Sequence, residues 1–119
     1  MVDSTNLYIV EKLIAENKGW ISKDSISVLA SQAQFLTIQH ADLKTQLKYI
    51  DMFRKAVKDR KASSGNLAYL EDRILIRQHK KQRYGTQSVT NKDGINTLAP
   101  IRNKWNVNKR RKRVGLSPL

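Results

Sequence analysis

Apolar positions recur at three- and four-residue spacing through the first 80 residues, then lose that rhythm. Leu7, Val10, Leu13 and Ile14 mark a helix over about residues 4–18, ended by Asn17-Lys18-Gly19. Trp20 and Ile21 form an apolar link. Ser22, backed by Asp24 and Ser25, reads as the N-cap of a second helix with Ile26, Leu29, Ala30, Ala33, Leu36 and Thr37 on one face. His40 continues that face, three or four residues beyond Leu36 and Thr37. Asp42 caps a third helix, with Leu43, Leu47, Ile50, Phe53 and Val57 inward and Lys44, Lys48, Lys55 and Asp59 in water. Ser63-Ser64-Gly65 breaks it, and Asn66 starts a fourth helix with the stripe Leu67, Leu70, Ile74 and Leu75. Glu71, Asp72 and Arg73 interrupt that stripe.

After Lys80 the pattern predicts strands at residues 82–89 and 95–101, flanking the turn Asn91-Lys92-Asp93-Gly94. Pro100 places the second strand's end there, or puts it on an edge. A connector holding Trp105 leads to a short terminal helix, where Val107 and Val114 bracket a basic run, Gly115 caps it, and Leu116 and Leu119 pack down. The expected fold is mainly α (α+β): about four helices, a β-hairpin near residues 81–101 and a short C-terminal helix. At 119 residues this is one domain with a single core. No apolar stretch approaches the roughly 18 residues of a membrane span, and the absence of cysteine excludes disulfides and thiol chemistry.

Charge divides this domain in two. Residues 1–72 carry a net of +1, whereas residues 73–119 carry +12, with Asp93 as their single acid. The helical body of residues 1–80 is nearly neutral, and the hairpin and terminal helix of residues 81–119 are strongly cationic. A surface of this kind predicts a polyanionic partner, with nucleic acid foremost; a solubilising surface is the plain alternative. The residues expected to bind phosphates are Arg77, Lys80, Lys81, Arg83, Arg102, Lys104 and the run Lys109, Arg110, Arg111, Lys112 and Arg113.

Several blocks resemble an uncharacterised bacterial domain family of unknown function. They are the segment from Asn66 through Ala68-Tyr69-Leu70-Glu71-Asp72-Arg73, Gln82-x-Tyr84-Gly85-Thr86-Gln87, Pro100-Ile101, Asn106-Val107-Asn108-x-Arg110-Arg111, and the closing Val114-Gly115-Leu116-Ser117-Pro118-Leu119. Gly19-Trp20 and the segment from Gln39 through His40 to Asp42 also look like that pattern. The resemblance implies no activity. It implies a shared site at His40, Glu71-Asp72-Arg73 and Tyr84 to Gln87, and it assigns the unusual basicity to this chain.

Those positions hold groups able to do chemistry. Charges set among Leu70, Ile74 and Leu75 need partners, and a His40–Glu71–Arg73 cluster satisfies them either as a structural network or as a catalytic one. On a strand, Tyr84 and Thr86 point one way and Gln87 the other, while Gly85 admits a close neighbour, either another stretch of chain or a ligand. Were the substrate RNA, His40 or Glu71 would take the 2′-hydroxyl proton, Arg73 would stabilise the phosphoryl oxygens, and Tyr84 or Thr86 would donate a hydrogen bond, with Gln87 orienting the substrate. Arg73-x5-His79 has the Arg…His spacing of one class of helical ribonucleases, although His79 also suits a helix C-terminus as a plain cation. No spacing predicts a metal site, and no cofactor is expected.

These readings set an expectation of a metal-independent ribonuclease resembling the catalytic tip of a delivered effector toxin. It would act in the cytoplasm, prefer RNA and be countered by an acidic immunity or inhibitor protein. The alternatives are a non-catalytic nucleic-acid-binding module and a domain with a non-nucleic ligand.

Overall fold

The computed structural model describes residues 4–24 and 28–119, with side chains over 6–24 and 30–119. Its elements are α1 (Ser4–Asn17), α2 (Val28–Gln39), α3 (Leu43–Lys58), α4 (Ser64–Arg77), β1 (Ser88–Thr90), β2 (Asn96–Leu98), a 3-10 turn at Lys104–Asn106 and α5 (Val107–Arg113). The structure is mainly α with a small β component, as the sequence predicts. Ser22, expected to cap the second helix, instead accepts from the Asp24 N–H in a turn before α2, and Ser25, Ile26 and the side chain of Leu29 lie outside the described residues.

The core sits among the four longer helices, with α3 against α4 and α2 touching α1, α3 and α4. Phe53 is its centre: the ring is 1% exposed, stacks on Trp20 with centroids 4.3 Å apart, and meets Phe35 edge-on at 6.0 Å. Val10, Ile14, Ile38, Ile50, Leu67, Leu70 and Ile74 complete it. Asp42 caps α3 as expected, accepting a 2.8 Å bond from the Thr45 N–H, whereas α4 starts earlier than the expected Asn66: Ser63 caps it by accepting from the Asn66 N–H, and Ser64 and Gly65 are in its first turn.

Two faces differ from expectation. The buried side of α3 is Gln46, Tyr49, Ile50, Phe53 and Ala56, and Leu47 is exposed. Gln46 takes an inward position because its Nε2 donates to the Gln39 carbonyl, closing the α2–α3 turn from within. On α2 the inner side is Gln34, Ile38 and Gln39, while Ala33 and Leu36 of the expected face are exposed, and His40 does not continue a buried face. The helix ends at Gln39, and the imidazole stands exposed in the turn that follows.

The β region is smaller than predicted. Each strand has three residues, paired antiparallel with Val89 opposite Thr97, and neither strand lies against a helix. Asn91 organises the turn by accepting from the N–H groups of Asp93 and Ile95. Residues 82–87, expected as strand, form a loop instead, with a single parallel bridge between Gln82 and Ile101. In α5, Val107 is buried and Val114 half-buried. Gly115 closes the helix at φ +78, where the Leu116 N–H donates to the Arg111 carbonyl. Leu119, expected to pack down, is 54% exposed, yet its side chain still lies over Gly85.

Candidate functional site

Among the described residues Asp72 is the one charged side chain that is buried, and its partners are mostly backbone. It is fully buried on α4, and its carboxylate accepts from the N–H groups of Arg83 (2.8 Å), Tyr84 (3.1 Å) and Thr86 (3.1 Å) and from the Thr86 hydroxyl (2.8 Å). A carboxylate ringed by donors in this way winds the 83–86 loop around itself. Gln82, also fully buried, ties the loop's other side: its Nε2 donates to the Gln87 and Ala99 carbonyls, and its Oε1 accepts from the Gln87 N–H. Gly85 has φ +72, and a Cβ there would come 3.0 Å from both Ile101 and Leu119. The close neighbour that this glycine admits is therefore the chain itself.

Two arginines of the basic run complete the same knot. Arg110 donates from Nε to the Arg83 carbonyl (2.8 Å), and from its terminal nitrogens to the carbonyls of Asn103 and Arg102 and to the Asn106 side chain. Arg111 donates to the carbonyls of Tyr84 (2.7 Å) and Ser117 (2.6 Å). Helical periodicity makes this division. Val107, Arg110, Arg111 and Val114 face inward, whereas Asn108, Lys109, Lys112 and Arg113 face water. Arg77 is likewise turned inward, donating to the Ala41 carbonyl. Arg83 lies 3.6 Å from Glu71 and over the Tyr84 ring.

The expected catalytic residues fall into two groups. Glu71 lines a cleft of about 260 Å³ between α3 and α4, together with Arg54, Ile74 and Arg83. Burial pushes its carboxyl above the usual carboxylate range, and Arg54 and Arg83 pull it partway back. Tyr84 belongs with this group: burial, then the charges of Glu71 and Asp72, raise its phenol, and its hydroxyl makes no hydrogen bond among the described residues. Arg73, two residues along the helix, points the other way. Its Nε is buried without a hydrogen bond among the described residues. His40 lies on that side, and partial desolvation, then the charges of Arg73 and Arg77, lower its titration below the usual imidazole range. The expected His40–Glu71–Arg73 cluster is thus divided by α4. Gln87 is held in the loop, its Nε2 donating to the Thr86 hydroxyl oxygen. His79 stands exposed beyond the end of α4, in a left-handed turn at φ +61. Among the described residues no three His, Asp or Glu side chains gather as metal ligands.

The raised Glu71 has a stability consequence. Its folded-state titration lies above the unfolded one, so stability is lost as pH rises from the ordinary carboxylate range through the raised folded-state value. Glu71→Gln removes that loss. The variant is expected to melt higher than the native protein at about pH 7 and to match it near about pH 3, where the carboxyl is protonated in both states. A lower melting temperature at neutral pH would mean that the Arg83 ion pair outweighs the burial.

Lys80, Lys81, Arg102, Lys104, Lys109, Lys112 and Arg113 are all exposed, and their side chains have no hydrogen bond or ion pair among the described residues. They share one end of the molecule, because Arg102 N–H donates to the Gln82 carbonyl and Arg110 joins α5 to residues 83 and 102. The same end presents Trp105, which is 84% exposed. Sequence reasoning did not single out Asp72, Gln82 or Trp105 as the residues that build this end. For Trp105 a signal was present, since a tryptophan between Lys104 and Asn106 has no apolar neighbour with which to bury itself.

Among the described residues no helix is long and apolar enough to cross a membrane. No curated protein and no solved structure matches the chain. One family model matches over residues 1–119, that of a family of unknown function, DUF6624. Its span takes in the Asp72–Gln82–Arg110 knot and the cationic end alike, and the chain belongs to that family.

Proposed function

We propose that this domain binds nucleic acid through its cationic end. The observation that carries the reading is the set of exposed side chains without a hydrogen bond or ion pair among the described residues: Lys80, Lys81, Arg102, Lys104, Lys109, Lys112 and Arg113. A cation held against its own chain's carbonyls has its donors occupied, as in Arg110 and Arg111. A solvated lysine exchanges water and counterions for phosphate and gains the entropy of counterion release. The inward arginines serve the same surface by fixing α5 and the 83–86 loop as its support.

The test is a salt titration of binding. The logarithm of affinity should fall linearly with the logarithm of salt concentration, by about 0.7 for each phosphate contacted on a single strand. A variant with Lys109, Lys112 and Arg113 replaced by glutamine should lower that slope by about 2 and keep its fold. Binding indifferent to salt, or none at low salt, overturns the reading.

The Glu71 cleft favours a second reading, a metal-independent ribonuclease. Glu71 would take the 2′-hydroxyl proton as the 2′ oxygen bonds to phosphorus. The 5′ oxygen would leave with a proton from the Tyr84 hydroxyl, while Arg54 and Arg83 hold the phosphoryl oxygens. On this reading His40, across α4, takes no part. An effector role and an acidic inhibitor covering the free cations belong to this reading as well. Turnover of labelled RNA in EDTA that Glu71→Gln abolishes supports it, and turnover unchanged in that variant removes it.

A further inference from the structure

Trp105 is the most exposed large apolar side chain among the described residues, at 84%, and the backbone beneath it is held rigid. It occupies the middle of the 3-10 turn Lys104–Asn106, which starts from Asn103 in a left-handed conformation at φ +46. That conformation is uncommon outside glycine, and asparagine tolerates it best. Arg110 locks the turn from below by donating to the carbonyls of Arg102 and Asn103 and to the Asn106 side chain. The ring therefore stands on a braced turn, where it gains nothing for the fold. The other tryptophan is the opposite case: Trp20 is 7% exposed and stacked on Phe53.

The ring's surroundings are cationic. Lys104 precedes it, Arg102 lies three residues before it, and Lys109 and Lys112 follow on the water-facing side of α5. No Asp or Glu occurs after Asp93 in the sequence. A flat π-face between solvated cations matches one chemistry, that of a base flanked by its own phosphates. Duplex nucleic acid hides its base faces in the stack, so such a ring has no use for it. An acidic peptide matches the charges and leaves the indole face without an obvious counterpart.

We propose that Trp105 is a stacking platform for an unpaired nucleobase, with Arg102, Lys104, Lys109 and Lys112 holding the flanking phosphates, so that the partner is a single strand. This rests on the nucleic-acid reading above and narrows it. The stacked base adds an attraction that does not depend on counterions, whereas the lysines set the salt slope.

The experiment measures binding of a labelled RNA oligomer of about 12 nucleotides, and of its duplex, to the native chain and to Trp105→Ala and Trp105→Phe. Trp105→Ala should lose about tenfold in affinity for the single strand, with an unchanged salt slope and little change on the duplex. Trp105→Phe should retain most of the affinity, because phenylalanine still offers a ring. Since the side chain is 84% exposed, both variants should melt like the native protein. Salt-dependent binding that Trp105→Ala leaves intact, or weakens equally on both strands, overturns this proposal and leaves the nucleic-acid reading standing. No binding of either probe at low salt overturns both.

Discussion

Asp72→Ala should cost the fold about 4 kcal/mol, a large share of the roughly 5–15 kcal/mol that holds a domain together. The carboxylate is fully buried and accepts four hydrogen bonds, from three main-chain N–H groups and one hydroxyl, all on residues 83–86. Alanine leaves those donors facing a small void. Each buried donor without an acceptor costs about 1–3 kcal/mol, and water entering the void recovers part of it. The damage should be local first. Amide exchange at Arg83, Tyr84 and Thr86 should accelerate more than exchange in α3, because the carboxylate that accepts from those N–H groups has gone. Asp72→Asn offers one acceptor oxygen but turns an NH2 toward the same donors, so it should recover less than half of the loss. Denaturant melts with exchange measurements check this, and a fully protected loop in Asp72→Ala would refute it.

The second large loss is expected in the core. Phe53→Ala removes a ring that is 1% exposed and packed against both Trp20 and Phe35, which should cost about 3–5 kcal/mol. Trp20 lies outside the helices, and Gln34 clamps the segment after it, its side chain both donating to and accepting from the Ile21 backbone at 2.6 and 2.9 Å. Loss of the Phe53 ring therefore loosens the link between α1 and α2 as well as α3 itself. Near-ultraviolet dichroism from Trp20 should fade together with the melting temperature. Phe53→Leu, which refills much of the volume, should restore most of the stability and little of the aromatic signal.

These two residues differ in how far the sequence announces them. Phe53 recurs with Ile50 and Val57 at helical spacing, and a large apolar side chain at such a position is buried almost wherever the helix packs. Nothing local marks Asp72 apart from Glu71 and Arg73. Its neighbours along α4 send Glu71 into the α3–α4 cleft and Arg73 toward His40, and only Asp72 inward. The expected strand at residues 82–89 failed for the same reason. Residues 82–87 reach for the Asp72 carboxylate and the Gln82 amide in place of a neighbouring strand, and a three-residue ladder is what remains. The rotation of α3, which exposes Leu47 and buries Gln46, likewise depends on a carbonyl that only the docked α2 supplies.

At the cationic end the same division holds. The sequence alone located the charge after residue 72, together with the Asp42 cap, the Gly115 stop and the terminal helix, because these are properties of residue type and spacing within one element. Which of the cations are spent on the chain's own carbonyls, which are left for a partner, and that Trp105 stands exposed on a braced turn depend on how three segments distant in sequence come together. Arg110 and Arg111 differ from Lys109 and Lys112 by little more than rotation about α5, and that rotation is set by Val107 and Val114 packing inward. The separation of His40 from Glu71 was decided the same way, by the body of α4 standing between them.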